Sequence, residues 1–235
     1  MLENIFTSEE NEKEYPTCLV EIEGSSVLEK IVDQTSEISN ATHAFTFLET
    51  DIEKYHLEKI VKLLTPNSIC TKVPVLSQGS ACSGLLSASQ LEQTAELLVI
   101  SANELVNADL WEIIKEFRNR DLDAGTLTFR SVHPRYSYVR LDKDGLVIEV
   151  AQRKPISLFA TAGIFWFAKT SDFVESTKNT IRKNAHVDGS YFLAPTFNEL
   201  ILKQKRIGMM ELDPRNYVPL KSEYHINQSK ENLFK

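Results

Sequence analysis

The sequence lacks the long apolar runs that a membrane protein or a secretory precursor needs. None of its 235 residues lies in a stretch approaching the ~20 consecutive apolar residues of a membrane-spanning helix. Residues 1–14 are acidic and contain no apolar signal core. We therefore expect a soluble, cytoplasmic protein with no membrane span.

Cysteine and histidine are too scarce and too scattered to suggest a metal centre. The three cysteines, Cys18, Cys70 and Cys82, show no metal-ligand spacing, and their odd number argues against a disulfide framework. The five histidines form neither an HxH nor an HExxH pattern. The sequence therefore predicts no zinc site.

Positive charge is not in excess either. The 26 lysines and arginines are outnumbered by 33 aspartates and glutamates, which gives a net charge of −7 and a pI of about 5.4. Nucleic-acid-binding domains usually carry a basic patch or stripe. We therefore expect no nucleic-acid partner.

The residues that are present are typical of a globular α/β protein. The composition is 42% hydrophobic and 25% charged, and the length suits one domain with a sizeable core. We predict a single domain over residues 1–235, with an acidic N-terminal segment at 1–14 and a polar tail at 227–235.

Hydrophobic periodicity divides the chain into alternating strands and helices. The pattern predicts strands at 18–22, 44–48, 69–76, 97–100, 125–132, 136–141, 146–150, 159–167 and 207–212. It predicts helices at 27–33, 52–64, 83–91, 109–118, 171–184 and 192–204. The apolar run 97–100 is typical of a strand buried on both faces in a parallel sheet, and 142–145 has hairpin-turn chemistry. These elements predict a three-layer α/β/α sandwich with a mostly parallel central sheet and an inserted β-hairpin.

Three separated stretches carry a resemblance to a known family. They are residues 133–138 (HPRYSY), residues 153–164 (with RKPIS and ATAGI), and residues 194–201 (APTFNELI). Each is weak alone, but all occur in order, with the hairpin turn between the first two. From roughly residue 15 to 226, the chain resembles a nucleotidyltransferase of the glycosyltransferase-A type. More narrowly, it resembles a bacterial sugar-phosphate nucleotidyltransferase-like family associated with capsule and surface-polysaccharide synthesis.

This resemblance implies a metal site that the sequence has altered. Family members place a metal-binding aspartate directly after a buried strand, and the gapless match through 97–106 puts Asn103 at that position. An amide oxygen can ligate Mg²⁺, but it brings no charge and holds the ion less well. We therefore predict no tightly bound metal, with Mg²⁺ as a cofactor only if the protein is active.

The resemblance also implies phosphate-binding residues that are replaced here. The family's glycine-rich loop corresponds to residues 1–14, which contain no glycine and whose acidic charge would repel a triphosphate. A Pro-Lys pair becomes Pro16-Thr17, and a Glu-Lys pair becomes Gln152-Arg153. The final glycine-threonine-proline turn is replaced by residues 217–222. We therefore predict that Thr17, Asn103 and Gln152 are degenerate catalytic positions.

Two candidate binding elements remain. The first, by resemblance, is the loop that reads the nucleobase and approaches the ribose with its backbone; it comprises Gln78, Gly79, Ser80 and Ala81. An ordinary strand-to-helix turn is the alternative interpretation. The second is a candidate sugar-phosphate site, to which the resemblance assigns Arg153, Lys154 and Asn198.

These observations leave three functional hypotheses. Nucleotidyl transfer at a triphosphate needs a divalent cation and cationic side chains, so the joint replacements favour a catalytically degraded homologue. Such a protein would bind a nucleotide or sugar phosphate, or act as a regulator, in nucleotide-sugar metabolism. One alternative is an active nucleotidyltransferase or glycosyltransferase with a rebuilt metal site. The other is a structural partner of an active paralogue, in which a shortened first strand leaves a sheet position for another chain. The sequence does not choose between a homo-oligomer and a paralogous enzyme as partner.

Overall fold

The computed structural model describes residues 2–3, 15–38, 40–75 and 77–220. In this part of the chain the strands β1 to β13 are Leu2–Glu3, Glu21–Ile22, Ser25–Ser26, Ala44–Leu48, Ile69–Val73, Leu97–Ser101, Glu104–Val106, Ala124–Arg130, Ser137–Leu141, Val147–Gln152, Phe159–Phe167, Ile207–Glu211 and Tyr217–Pro219. The helices α1 to α7 are Val27–Thr35, Glu49–Tyr55, Leu57–Leu64, Ser80–Ala88, Leu110–Asn119, Thr170–Arg182 and Phe197–Leu202.

Nine strands form the central sheet of the described residues. Parallel pairs join β1 to β4 and β6, β4 to β5, and β8 to β12. Antiparallel pairs join β11 to β6, β8 and β9, and β9 to β10. Seven of these strands therefore run in one direction, while β10 and β11 run in the other. The predicted mostly parallel sheet is confirmed.

Helices cover both faces of this sheet. On one face, buried side chains of α1, α2, α3 and α5 join one hydrophobic cluster. On the other face, α4, α6 and α7 contribute to a second cluster. The predicted three-layer α/β/α sandwich is therefore confirmed.

The strand predicted to be most buried lies inside the sheet. β6 is flanked by β1 on one side and β11 on the other. Its residues Leu97, Val99 and Ile100 are buried, and Leu98 is half-buried. This burial accounts for the uninterrupted apolar run in the sequence.

Strand β11 contributes consecutive aromatic residues to the hydrophobic clusters on both faces of the sheet. Trp166 faces the first cluster, where its ring lies 5.7 Å from that of Phe117. Phe165 and Phe167 face the second cluster, where they lie 5.7 Å and 5.4 Å from Phe197. Because side chains alternate along a strand, three successive aromatics fill both sides of the sheet.

The inserted hairpin is present as predicted. β9 and β10 pair antiparallel and are joined by the turn at 142–145. Asp142 Oδ1 accepts hydrogen bonds from the backbone N–H groups of Asp144 and Leu146, both at 2.9 Å. Gly145 has φ +78°, which glycine adopts without strain.

Two helix predictions were wrong in their extent. The predicted helix 52–64 is broken at His56, which has φ +54° and separates α2 from α3. The predicted helix 192–204 begins with the 3₁₀ turn Ala194–Thr196 and is α-helical only at Phe197–Leu202. The apolar spacing continues through both regions, so periodicity alone did not reveal the change in backbone conformation.

The predicted strand 18–22 was also largely wrong. Thr17–Leu19 is a 3₁₀ turn, and only Glu21–Ile22 is extended, paired with Ser25–Ser26. Glu23 and Gly24 both have positive φ, as a tight two-residue hairpin turn requires. The buried apolar residues here, Cys18 and Ile22, join the core cluster that includes α1, but they do not belong to the central sheet.

Within the described residues, no helix combines the length and apolar character needed to cross a bilayer.

Gly125 provides a test of how α5 packs on the sheet. A Cβ at this position would lie 2.7–2.8 Å from three ring atoms of Phe117, whose ring is backed by Trp166. We expect Gly125→Ala to lower the free energy of unfolding by about 1–3 kcal/mol in denaturant titrations, because an overpacked core must shift. Phe117→Leu should relieve part of this cost, so the double variant should be more stable than the sum of the single effects predicts. Additive effects would contradict the proposed clash.

Candidate functional site

The loop before α4 is held in one conformation by a neighbouring segment of the chain. Gly79 has φ +98°, and a Cβ there would lie only 2.6 Å from the carbonyl oxygen of Tyr191. Tyr191 N–H donates to Gln78 O at 2.8 Å, and Ala81 N–H donates to Tyr191 O at 3.0 Å. Ser80 Oγ accepts from Leu193 N–H at 3.2 Å. The loop is therefore fixed by segment 190–193, and only glycine fits at position 79.

Asn103 lies at the carboxyl end of β6, in the turn that leads to β7. Its N–H donates to Ser101 Oγ at 3.3 Å, and its carbonyl accepts from Leu220 N–H at 2.8 Å. β13 runs antiparallel to β7, with Pro219 opposite Glu104. The structure thus brings residues 217–220 beside Asn103, while residues 221–222 lie outside the described part.

A buried carboxylate lies directly after Asn103. Glu104 is 8% exposed, and its carboxylate accepts a short hydrogen bond from the hydroxyl of Tyr217. Burial, together with the negative charge of Glu104, raises the pKa of Tyr217 well above its usual value. The Tyr217 ring is stacked on Phe129 with centroids 3.8 Å apart. The neighbourhood of Asn103 is therefore occupied in part by a buried carboxylate–phenol pair.

Gly163 makes room for this pair. β11 changes register between Thr161 and Phe165, and Gly163 lies in that irregular stretch with φ +71°. A Cβ at Gly163 would lie 2.7 Å from the carboxyl carbon of Glu104. The irregularity in β11 and the buried carboxylate thus depend on the same glycine.

Sequence reasoning missed the roles of Glu104 and Tyr217. The only available signal was a glutamate placed directly after Asn103, at the start of the run Glu104–Val106. An acidic residue on a buried strand needs a partner. The partner lies 113 residues away in the sequence, so the pattern alone did not indicate it.

Gln152 and Arg153 lie where the hairpin ends. Gln152 Oε1 accepts a short hydrogen bond from Ser137 Oγ across the hairpin. Arg153 has φ +57°, and its Nη1 lies 2.5 Å from Asp188 Oδ2. Its guanidinium lies 5.6 Å from the ring centroid of Phe192. Arg153 and the loop 78–81 therefore both contact segment 188–193.

The other predicted positions have different surroundings. Lys154 is exposed. Asn198 Oδ1 accepts from Val150 N–H at 2.9 Å, and its Nδ2 donates to Val150 O at 2.8 Å, so both ends of its amide bind the backbone of β10. Thr17 is buried at the start of a 3₁₀ turn that packs on α1. Burial also raises the pKa of the adjacent Cys18 to about 12, so this thiol stays protonated at neutral pH.

Among the residues that the structure describes, no three His, Cys, Asp or Glu side chains lie close enough together to hold a metal ion. Side-chain oxygens at this end of β6 belong to Ser101, Asn103 and Glu104, and the Glu104 carboxylate lies against Gly163 and Tyr217. A divalent cation here would have to compete with Tyr217 for the Glu104 carboxylate.

Solved structures share this fold. A nucleoside-diphosphate-sugar pyrophosphorylase from Vibrio cholerae RC9 superposes with a TM-score of 0.75 and 16% identity, covering 93% of this chain and 92% of that one. A UDP-glucose pyrophosphorylase complexed with UDP-glucose gives a TM-score of 0.70 and 12% identity, with coverages of 92% and 89%. No protein-family model matches the sequence, and neither does any curated protein. The chain therefore has the nucleotidyltransferase-like fold.

The carboxylate–phenol pair predicts a characteristic alkaline stability profile. At neutral pH, Tyr217→Phe should lower the free energy of unfolding by about 1–3 kcal/mol, because buried Glu104 loses a donor. The raised pKa keeps Tyr217 protonated in the folded state, whereas the unfolded phenol ionises near pH 10. The contribution of the Tyr217 phenol to the free energy of unfolding is therefore at its full value below about pH 10. Above that pH it decreases, by up to about 1.4 kcal/mol per pH unit.

The measurement is denaturant unfolding of both proteins from neutral to alkaline pH. The stability difference between wild type and Tyr217→Phe should become smaller above about pH 10. Tyr15→Phe is the matched control, because Tyr15 is 53% exposed. A wild-type to Tyr217→Phe difference that stays constant across this range would contradict the proposed burial of a neutral phenol.

Proposed function

We propose that this protein is a nucleotidyltransferase homologue that has lost nucleotidyl transfer. In this proposal it acts in the cytoplasm as a binding or regulatory protein of nucleotide-sugar and surface-polysaccharide metabolism. The observation that carries the proposal is the end of β6. There an uncharged amide, Asn103, stands where a metal-binding aspartate is expected, and the adjacent carboxylate of Glu104 already binds Tyr217.

Electrostatics support this proposal over an active enzyme. Transfer at a triphosphate develops charge that a divalent cation and cationic side chains must neutralise. Thr17 and Gln152 are uncharged, and Thr17 is also buried. Loss of one preorganised stabilising contact typically lowers the rate about 10²–10³-fold, and several losses together leave little activity even if they do not multiply.

The ligand in this proposal carries less negative charge than a nucleoside triphosphate. Two cationic side chains remain near the end of the hairpin, and one of them, Arg153, is already paired with Asp188. Lys154 is exposed and available to a phosphate. A sugar phosphate or a nucleotide with few phosphates therefore fits the charge of this region better than a nucleoside triphosphate does.

An active enzyme with a rebuilt metal site is the second candidate. The observation that favours it is Glu104, whose carboxylate adjoins Asn103 and is a suitable oxygen ligand for Mg²⁺. In this candidate, cation binding would release the Tyr217 hydroxyl from the carboxylate. The two candidates differ in whether wild-type protein binds Mg²⁺ with nucleotide.

The metal prediction is tested by restoring the charge. We expect wild-type protein to bind Mg²⁺ with nucleotide weakly in isothermal titration. Asn103→Asp should tighten binding by about tenfold or more, since a nearby unit charge contributes well over 1 kcal/mol at a partly buried site. Asn107→Asp is the matched control, because it adds the same charge at an exposed position four residues along the chain. Tight wild-type binding that Asn103→Asp leaves unchanged would contradict the proposal.

The activity prediction is tested by pyrophosphate release. We expect no turnover above background when the protein is assayed with Mg²⁺, each nucleoside triphosphate, and a panel of sugar phosphates and choline phosphate. The physical reason is the combined replacement at Thr17, Asn103 and Gln152. Thermal melting with the same compounds measures retained binding, because a ligand at 100 times its Kd adds about 2.7 kcal/mol of stability. Robust turnover that Lys154→Ala abolishes would instead establish a rebuilt active site.

A further inference from the structure

A cavity of about 600 Å³ opens at the amino-terminal edge of the sheet. Its walls include Ala44, Ile69 and Leu97, which are the first residues of β4, β5 and β6. Asn103, by contrast, follows the carboxyl end of β6. The cavity is therefore separate from the candidate site and lies at the opposite edge of the sheet.

The size and depth of this cavity are those of a ligand pocket. Protein interiors contain few voids larger than a water molecule, whereas small-molecule pockets occupy roughly 300–1,000 Å³. Buried Ile31, Phe45 and Trp166 line its inner part, while Ala41 and Ala95 are exposed. The cavity thus extends from solvent to the core.

The lining favours a flat, mainly apolar occupant. Aliphatic side chains, among them those of α1, α5 and the strand beginnings, make up about half of the described lining residues. Three rings, those of His43, Phe45 and Trp166, also line it. His43 and Phe45 are stacked, with centroids 6.2 Å apart and an interplanar angle of 13°. An aromatic molecule can pack offset or edge-on against such rings.

Polar side chains also line the cavity, among them Asn40, Thr42, Gln90 and Thr170, and His43 is the one that stacks on an aromatic ring of the wall. Thr35 Oγ1 donates its single proton to Val32 O at 2.9 Å. His43 Nε2 lies 2.9 Å from the same oxygen, and we assign the hydrogen of this contact to Nε2 because the Thr35 hydroxyl has Val32 O as its own acceptor. Burial lowers the pKa of His43, so the ring is neutral at neutral pH. This tautomer leaves Nδ1 as an acceptor for a ligand donor.

The charges at the rim argue against a charged ligand. Glu96 accepts from Arg118 Nε at 2.8 Å and from Arg118 Nη2 at 2.7 Å, and it also accepts from Trp166 Nε1 at 3.3 Å. The Glu96 and Arg118 charges therefore compensate each other. The remaining acid in the lining, Glu92, is exposed and accepts hydrogen bonds from Thr94. The acids and the arginine among the described lining residues are thus already hydrogen-bonded, which makes burial of a charged ligand beside them unfavourable.

We propose that this cavity binds a neutral, flat, mainly apolar small molecule with one hydrogen-bond donor, the chemistry of a phenol or an indole. The donor bonds to His43 Nδ1, and the ring lies among Phe45, Trp166 and the aliphatic wall. This site does not depend on the proposed loss of nucleotidyl transfer, because it shares no residue with the candidate site.

The indole N–H of Trp166 provides the readout. The chain has two tryptophans, so the ¹H–¹⁵N spectrum contains two indole signals, which Trp111→Phe assigns. Titration with phenol should move the Trp166 signal saturably. Toluene, which has the same shape but no donor, should bind about fivefold more weakly, as loss of one neutral hydrogen bond predicts. Benzoate should bind more weakly than phenol.

Variants identify the cavity as the site. His43→Phe should remove the preference for phenol over toluene while both still bind. Ala95→Phe should block both probes by filling the mouth of the cavity. Ala185→Phe, an equally exposed alanine beyond the end of α6, is the matched control and should leave binding unchanged. Thermal melting confirms that each variant is folded.

Three results would overturn the proposal: no saturable shift with either probe, benzoate binding more tightly than phenol, or a phenol preference that survives in folded His43→Phe. If that variant does not fold, the ranking of phenol, toluene and benzoate on wild-type protein decides the proposal.

Discussion

The architecture depends on β11, a strand that must be apolar on both faces. It pairs with β6 on one side and with β8 on the other. Trp166 contacts the cluster beneath α5, while Phe165 and Phe167 contact the cluster beneath α7. Because side chains on a strand alternate, these three residues fix which helices lie on which side. A shift of the strand by one residue would exchange the two sets of contacts and disrupt both cores.

The chemistry of the candidate site is governed by one buried carboxylate. Burying a charge is costly unless hydrogen bonds replace its hydration. The hydroxyl of Tyr217 supplies such a bond to Glu104, and Gly163 permits the close approach. Our proposal takes Asn103 to stand where a metal-binding aspartate is expected, and the neighbouring carboxylate of Glu104 is already bonded to Tyr217; this is why we favour a protein without nucleotidyl transfer.

Local patterns predicted those parts of the structure that depend on local physics. The run 97–100, the strand at 159–167 and the turn at 142–145 each occur as expected. The break at His56 was missed because a single left-handed residue leaves the apolar spacing of the helix unchanged. The contact between Glu104 and Tyr217 was missed because it joins residues far apart in the sequence.

The candidate site was predictable to a smaller extent. The structure places residues 217–220 next to Asn103 through the backbone contact with Leu220, a neighbourhood that the sequence analysis did not predict. Which ligands Gln78, Gly79, Arg153 and Asn198 bind stays a prediction. The cavity at the other sheet edge had no sequence signal, because its wall is assembled from many separate elements.

The packing at Gly79 also bears on how this chain changes over evolution. Any side chain there would collide with the backbone of Tyr191, whether or not a ligand is bound. Selection for a stable fold is therefore sufficient to retain glycine at position 79. A descendant that had lost every ligand of this loop would still carry the motif, so glycine at this position records descent and packing rather than present use.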